Sequence, residues 1–403
     1  MNEVTTVGVL GAGTMGSGIA QVAAEAGLEV LVHDPLPGAT ERARDRIGGF
    51  LARKVEKGQL TDVERSATLG RLGTSAMLEG LAVADIVIEA APEEIELKRD
   101  AFRRLDGAAG AETILATNTS SLSVTRIASA TTRPNRVIGM HFFNPVPLMG
   151  LVEVIPGAMT DPKVTDSVAL LARLFGKTPV VAADAPGFIV NRVQRAYYLE
   201  AYRILEGGLA EAAAIDDAMR GIGFRLGPFE LADMVGTDVN LAAGIAIFEG
   251  FFGDPRFRPA HVQRRVADAG RLGRKTGSGY YDYGADGTRG AAWAALAQRP
   301  NRAPRLPTLD AAQIEARILA CIVNEAASAV ADGVASPEAI DTAMRLATNW
   351  PEGPLAWGER IGFTSVVHSL DALHATVPDG RYRVTPLLRD LADAAGSFFA
   401  VQG

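Results

Sequence analysis

Short apolar runs separated by stretches of helical periodicity fill the first half of the chain. Residues 5–11, centred on VGVL, read as a buried strand, and a glycine loop and a helix over about 14–26 follow. LEVLVHD (28–34) is predicted as a second strand. DIVIEA (85–90), TILATN (113–118), RVIGMH (136–141), LVEVI (151–155) and PVVAAD (179–184) repeat the pattern, with helix-like segments between most of them. Apolar runs of this length, bounded by turn residues, mark buried strands. Their alternation with helices predicts an α/β, doubly wound and mostly parallel sheet covered on both faces. Ala185-Pro186-Gly187 punctuates the series. From FIVNRVQRAYYLEAYRILEGG onward the apolar period is helical, and the rest of the chain is predicted to be almost entirely α.

The helical part contains a repeat. AIDDAM (214–219) recurs as AIDTAM (339–344), and on the same register Glu200 matches Glu325 and Gly208 matches Gly333. One residue further out, Gly227-Pro228 matches Gly353-Pro354. Co-linear matches over this span indicate duplication rather than chance. The stretch between the copies is rich in Gly, Pro, Ala and Arg and reads as a linker. The expected organisation is 1–185 as the α/β domain, 186–284 as a first helical domain, 285–311 as a linker and 312–403 as a second helical domain.

Composition narrows the function. The chain has 403 residues, 48% of them hydrophobic and 22% charged, with a net charge of −7. That is enough for two or three domains, each with its own core. The acidic balance argues against nucleic acid as a partner. One cysteine, Cys321, excludes an intrachain disulfide and fits a reducing compartment. The N-terminal run shows no secretory leader, and no stretch of about 20 apolar residues offers a membrane span. Cytoplasmic residence is the expectation. No metal site is expected.

The GAGTMG loop after the first strand is the first chemical signal. Gly11 permits the tight turn, Gly13 lets backbone N–H groups approach a pyrophosphate, and Gly16 lets the helix pack on the strand. With Thr14 and Met15 these form a candidate phosphate cradle at a helix N-terminus. Asp34 closes the second strand, where its carboxylate can accept both ribose hydroxyls and repel a 2′-phosphate, so NAD is expected rather than NADP. FAD uses a similar loop, but the later segments suit a nicotinamide enzyme better. His33, beside Asp34, is read as structural. Of the five histidines, only His141 leaves a sheet strand, at the edge where open α/β sheets bind ligands. LVEVI follows with a single carboxylate, Glu153. An imidazole held by a carboxylate is a base suited to neutral pH. On pattern alone His141 stands equally well as a satisfied structural histidine.

GAGTMGSGIAQ, EAAPEEIELK, TNTSSLSVTRIA, HFFNPVPLMGLVEVI, APGFIVNR and GRKTGSGYYDY occur in the order found in the 3-hydroxyacyl-CoA dehydrogenase family, which this chain resembles over about 1–284. The second helical copy resembles the same family's C-terminal unit, duplicated in some members. The resemblance implies a Rossmann-type NAD-binding domain followed by all-α domains related by duplication. It implies NAD-dependent, reversible oxidation of an (S)-3-hydroxyacyl-CoA. It makes His141 the general base, Glu153 its orienting partner, Ser120 a hydrogen-bond partner of the reacting oxygen and Asn191 a positioner of the acyl group. Glu93, Lys98, Asn118 and Asn144 match positions near the cofactor. Arg53 and Lys57, one helical turn apart in a locally basic segment, match positions near the CoA moiety.

Alternatives remain at this stage. Ser120 is equally placed to cap the helix after the TNTSS turn, and Asn144 to initiate the turn into Pro145. Arg53 and Lys57 sit among Glu41, Asp45 and Glu56 and also suit a solvated face. Gly150 stands where short-chain members of the family often have Lys, which leaves the acyl group open: a short chain such as 3-hydroxybutyryl, or a dicarboxylic one such as 3-hydroxyadipyl. Ala316 replaces Asn191 in the second copy, which therefore contributes no catalytic residue and is expected to pack as a partner subunit's unit would. A monomer or a homodimer is compatible with that. A related dehydrogenase of a free 3-hydroxy acid, sugar acid or carnitine-like substrate is the competing reading, and an inactive nucleotide-binding scaffold is the third.

Overall fold

The computed structural model describes residues 4–296 and 308–400. The chain divides into two compact units, 1–188 and 189–403. The first unit alternates strands and helices. Its strands are β1 Thr6–Leu10, β2 Glu29–His33, β3 Leu72–Thr74, β4 Ile86–Glu89, β5 Ile114–Thr117, β6 Val137–Phe142, β7 Leu151–Pro156 and β8 Thr178–Val181. Its helices are α1 Thr14–Glu25, α2 Ala39–Glu56, α3 Asp62–Gly70, α4 Ile95–Ala108, α5 Val124–Ala128 and α6 Pro162–Leu174. Among the described residues these strands form one sheet in the order β3-β2-β1-β4-β5-β6-β7-β8. The order reverses direction beside β1, the switch point at which doubly wound folds bind ligands.

The sheet is not wholly parallel. β7 runs antiparallel to β6, and β8 follows β7 in parallel. Only residues 143–150, with no helix, connect β6 to β7, and so short a link cannot make a parallel crossover. The last predicted strand is shorter than PVVAAD suggests, because β8 ends at Val181. Strands β1, β4 and β5 are buried along nearly their whole length, as a sheet covered on both faces requires. Helix α2 shows the amphipathic logic plainly: it buries Ala39, Ala43, Ile47 and Leu51 at four-residue spacing and turns its charged residues outward.

In the second unit the helices are α7 Val190–Gly207, α8 Ala212–Gly221, α9 Pro228–Val235, α10 Thr237–Gly250, α11 His261–Asp268, α12 Ala311–Ala331, α13 Pro337–Thr348, α14 Pro354–Ile361, α15 Phe363–Thr376 and α16 Pro386–Asp393. Part of the stretch read as a linker is ordered: β10 Arg289–Ala292 pairs antiparallel with β9 Tyr281–Tyr283. Residues 297–307 of that linker lie outside the described residues.

The repeat has a structural cause. Asp216 on α8 accepts hydrogen bonds from the backbone N–H groups of Phe229 (2.9 Å) and Glu230 (3.1 Å), at the start of α9. Asp341 on α13 does the same for Leu355 (2.8 Å) and Ala356 (3.0 Å), at the start of α14. A Cβ on Gly227 or Gly353 would lie 2.3 or 2.2 Å from that carboxylate group, so glycine is obligatory at both places. Helices α7 and α12, the first of each copy, pack against each other. Their ion pairs are exchanged: Arg192 pairs with Glu325 at 2.7 Å, and Arg317 pairs with Glu200. Arg192 and Arg317 are equivalent by the repeat register, as are Glu200 and Glu325. This is the reciprocity of an isologous interface, made within one chain.

Candidate active site

The register of β6 and β7 sets His141 directly opposite Glu153. Directly opposed residues on an antiparallel pair share a face and bring their Cβ atoms within about 5 Å. His141 Nδ1 and Glu153 Oε2 are 2.7 Å apart. The carboxylate is fully buried and the imidazole is 5% exposed. An ionised carboxylate only accepts hydrogen bonds, so Nδ1 carries the proton and Nε2 keeps its lone pair. Phe143 and Phe188 flank the imidazole, with ring centres 4.5 and 5.9 Å away, and restrict its rotation.

Ser120 lies in the loop after β5. It does not cap α5: that role falls to Ser123, whose hydroxyl accepts from Arg126 N–H. The Ser120 N–H and hydroxyl instead donate to Glu93 Oε1, at 2.8 and 3.2 Å. Thr119 Oγ1 (2.6 Å) and the Ser121 N–H (3.1 Å) converge on the same oxygen. Lys98 Nζ stands 3.4 Å from the other Glu93 oxygen. Burial alone would raise the Glu93 pKa, but the Lys98 charge and the Thr119 and Ser120 donors hold it below the usual carboxylate range. Lys98 is itself buried and donates to Glu89 Oε1 at 2.6 Å. Glu89 ends β4, is fully buried, and accepts from Thr117 Oγ1 at 2.7 Å. So Lys98 serves as a prop for Glu93, and Glu89 is the member of the cluster that the motif reading does not single out. The one signal for it is an acid closing a buried strand, IVIE.

The glycine loop is built for an anionic group. Gly11 adopts φ +98°, and a Cβ there would lie 2.7 Å from the Ala90 carbonyl oxygen. A Cβ on Gly16 would lie 1.8 Å from the Gly11 carbonyl oxygen. On Gly13 it would meet nothing within 4 Å, so this position borders the open side of the turn. No side chain caps α1, and its first N–H groups, over Thr14 and Met15, are left for a phosphate. Asp34 accepts from the Ala12 N–H (2.7 Å) through one oxygen and from the Leu36 N–H (2.9 Å) through the other. That fixes the carboxylate beside the loop, with lone pairs left for ribose hydroxyls. His33 Nδ1 lies 2.9 Å from the Ser75 carbonyl oxygen, in keeping with a structural role. The residues present therefore fit a dinucleotide.

Thr14 and Asn144 line one cleft, together with Arg46, Phe50 and Val146. Asn144 precedes Pro145 through a cis peptide bond. Asn118 accepts from the Phe142 N–H at 2.8 Å and ties the exits of β5 and β6 together. Arg46 donates to Ser17 Oγ at 2.6 Å and to the Gly13 carbonyl at 3.2 Å. This contact joins α2 to the glycine loop, and no sequence motif announces it. Arg53 lies over the Phe50 ring at 4.6 Å. Neither Arg53 nor Lys57 forms an ion pair among the described residues, whereas Lys54 between them pairs with Glu25 at 2.6 Å. Asn191 belongs to the second unit, in the first turn of α7.

A glycine-loop dinucleotide site and a carboxylate-braced imidazole on one sheet define an NAD-dependent dehydrogenase. Residues 6–185 match the 3-hydroxyacyl-CoA dehydrogenase NAD-binding domain, and residues 187–283 and 314–397 match the C-terminal domain of the same family. The chain belongs to the 3-hydroxyacyl-CoA dehydrogenase family. It is 39% identical to a 3-hydroxyadipyl-CoA dehydrogenase of Escherichia coli (strain K12), over 97% of this chain and 98% of that one. It is 45% identical to a probable 3-hydroxybutyryl-CoA dehydrogenase of Bacillus subtilis (strain 168), over 70% of this chain and 98% of that one. The crystal structure of a 3-hydroxybutyryl-CoA dehydrogenase from Escherichia coli K12 superimposes with a TM-score of 0.89 at 37% identity, covering 98% of this chain and 99% of that one. Among the described residues no single helix is long and apolar enough to cross a membrane.

Proposed function

We propose that the protein oxidises an (S)-3-hydroxyacyl-CoA to the 3-oxoacyl-CoA, reversibly, in the cytoplasm. The observation that carries this reading is the buried 2.7 Å bond from His141 Nδ1 to Glu153 Oε2. It leaves Nε2 as the atom that accepts the proton of the substrate 3-hydroxyl, or returns it in the reductive direction. Glu153 fixes the tautomer and stabilises the imidazolium once the proton has arrived. Ser120 hydrogen-bonds the reacting oxygen, and Glu93 holds the Ser120 loop. Asn191 orients the acyl group. NAD, when bound, accepts the hydride from the hydroxyl-bearing carbon. Gly11, Gly13, Thr14, Met15 and Gly16 hold its pyrophosphate, Asp34 its ribose, and Glu93, Asn118 and Asn144 the nicotinamide half, with Lys98 acting there through Glu93. Arg53 and Lys57 meet the phosphates of CoA, and their lack of acidic partners among the described residues supports this.

The relatives' names divide between a dicarboxylic and a short acyl chain. Of the two matches that span nearly the full length of both chains, one is named for the dicarboxylic substrate and the other, a solved structure, for 3-hydroxybutyryl-CoA. We take 3-hydroxyadipyl-CoA, the name of the more similar of the two, as the preferred substrate. The reciprocal α7–α12 pairing supports a monomeric enzyme, the second copy standing in for a partner. The test is NADH absorbance with 3-hydroxybutyryl-CoA, 3-hydroxyadipyl-CoA and their free acids, each with NAD and NADP. The reading expects turnover of CoA thioesters with NAD only, and turnover of the free acids alone would replace it with the competing reading.

A further inference from the structure

Helix α7 carries a buried cation that its surroundings do not balance. Arg195 is 4% exposed. Its Nη1 donates to the Asn240 carbonyl at 3.0 Å, and its guanidinium lies 4.8 Å from the centre of the Tyr198 ring. Among the described residues no carboxylate pairs with it, and its Nε has no hydrogen-bond partner. Burial pulls its pKa below the ordinary guanidinium value, against the small opposing influence of Tyr198 and Tyr202. Taking a charge out of water without a counter-charge is strongly unfavourable.

The neighbouring amides are also incomplete. Gln263 Nε2 donates to Asn240 Oδ1 at 2.6 Å, and the Tyr202 hydroxyl donates to the same oxygen at 3.2 Å. Asn240 Nδ2 is then left without a partner, as is Gln263 Oε1. Turning both amides over pairs Asn240 Nδ2 with Gln263 Oε1 and leaves Gln263 Nε2 and Asn240 Oδ1 unpartnered instead. Either arrangement keeps one amide donor in this cluster. A Cβ on Gly244 would stand 3.5 Å from Arg195 Nη1 and 3.7 Å from Gln263 Nε2, so the two nitrogens converge on one point that glycine leaves clear. A guanidinium and an amide converging in a dry environment are a carboxylate's partners.

Arg195 follows Asn191 by four residues, on the same face of α7 and about 6 Å along its axis. In a six-carbon dicarboxylic substrate two methylenes separate the hydroxyl-bearing carbon from the distal carboxylate, a comparable reach. We propose that Arg195, with the Gln263–Asn240 amides, receives the distal carboxylate of a dicarboxylic 3-hydroxyacyl-CoA and sets the preference for it. The inference rests on the dehydrogenase reading and on the placement of the acyl group at Asn191.

The test compares kcat/KM for 3-hydroxyadipyl-CoA and 3-hydroxybutyryl-CoA in the wild type, Arg195→Met, Arg195→Lys and Gln263→Leu. The wild type should favour the dicarboxylic substrate. Arg195→Met should lower the adipyl-to-butyryl ratio about 100-fold, mainly through KM, as expected for loss of charge-assisted hydrogen bonds. Arg195→Lys should restore part of that ratio, and Gln263→Leu should lower it about tenfold. The melting temperature of Arg195→Met should equal or exceed that of the wild type, because an unmatched buried charge has gone. An unchanged ratio in both Arg195→Met and Gln263→Leu, or wild-type preference for the butyryl substrate, overturns the proposal. Absence of wild-type turnover with either thioester overturns the dehydrogenase reading itself.

Discussion

At the residue scale, the proposed chemistry depends on which ring nitrogen of His141 holds the proton. Glu153 decides that, since a carboxylate can only accept. Glu153→Gln places an amide donor opposite Nδ1 and stabilises the wrong tautomer. The expected result is a fall in kcat of about 10²- to 10⁴-fold, with the NAD dissociation constant unchanged by fluorescence titration. Near-wild-type kcat in that variant would remove Glu153 from the reaction. The pair was partly legible in the sequence: one histidine leaves a strand and one acid sits in the next. What the residues alone do not give is their opposition, which comes from the antiparallel register. Glu89 and Arg195 are less legible still. Glu89 is one of several acids in its segment, and Arg195 looks like any helix arginine until the structure shows it buried, with no carboxylate partner among the described residues.

At the element scale, strand and helix positions followed from apolar periodicity, and most ends agree within one or two residues. The exceptions are β3, β9 and β10, three short strands that no apolar run announces, β8, which stops at Val181, and the β6–β7 reversal, which the missing helix over 143–150 signals. The repeated Asp–Gly-Pro motif proves to be a device that starts a helix. Its acids pay for burial in different measure. Burial pushes the Asp216 carboxyl up from 3.8 to about 8, despite the Phe229 N–H and Tyr281 hydroxyl it accepts from. Burial pushes Asp341 up to about 6. A raised native pKa means that the folded state keeps a proton the unfolded chain has lost. The associated stability is complete below about pH 4 and is lost as the pH climbs towards 8. The wild-type melting temperature should therefore fall between pH 6 and 8, and Asp216→Asn should flatten that slope in thermal denaturation. Parallel profiles for the two proteins would contradict the assignment.

At the scale of the whole molecule, duplication explains the length. The exchanged pairs Arg192–Glu325 and Arg317–Glu200 are what two copies related by a twofold axis would make, drawn from one chain. Light scattering should give a monomer of about 42.4 kDa, and a stable dimer would show that the second copy does not replace a partner. The repeat itself was visible as AIDDAM and AIDTAM, but the pairing across it was not, because reciprocity is a property of packing. The measurement closest to the central claim is NADH formation from a 3-hydroxyacyl-CoA by His141→Gln, with NAD affinity followed in parallel. The account predicts turnover lower by about three to four orders of magnitude and NAD binding as in the wild type. Wild-type-like NADH formation by this variant would contradict it.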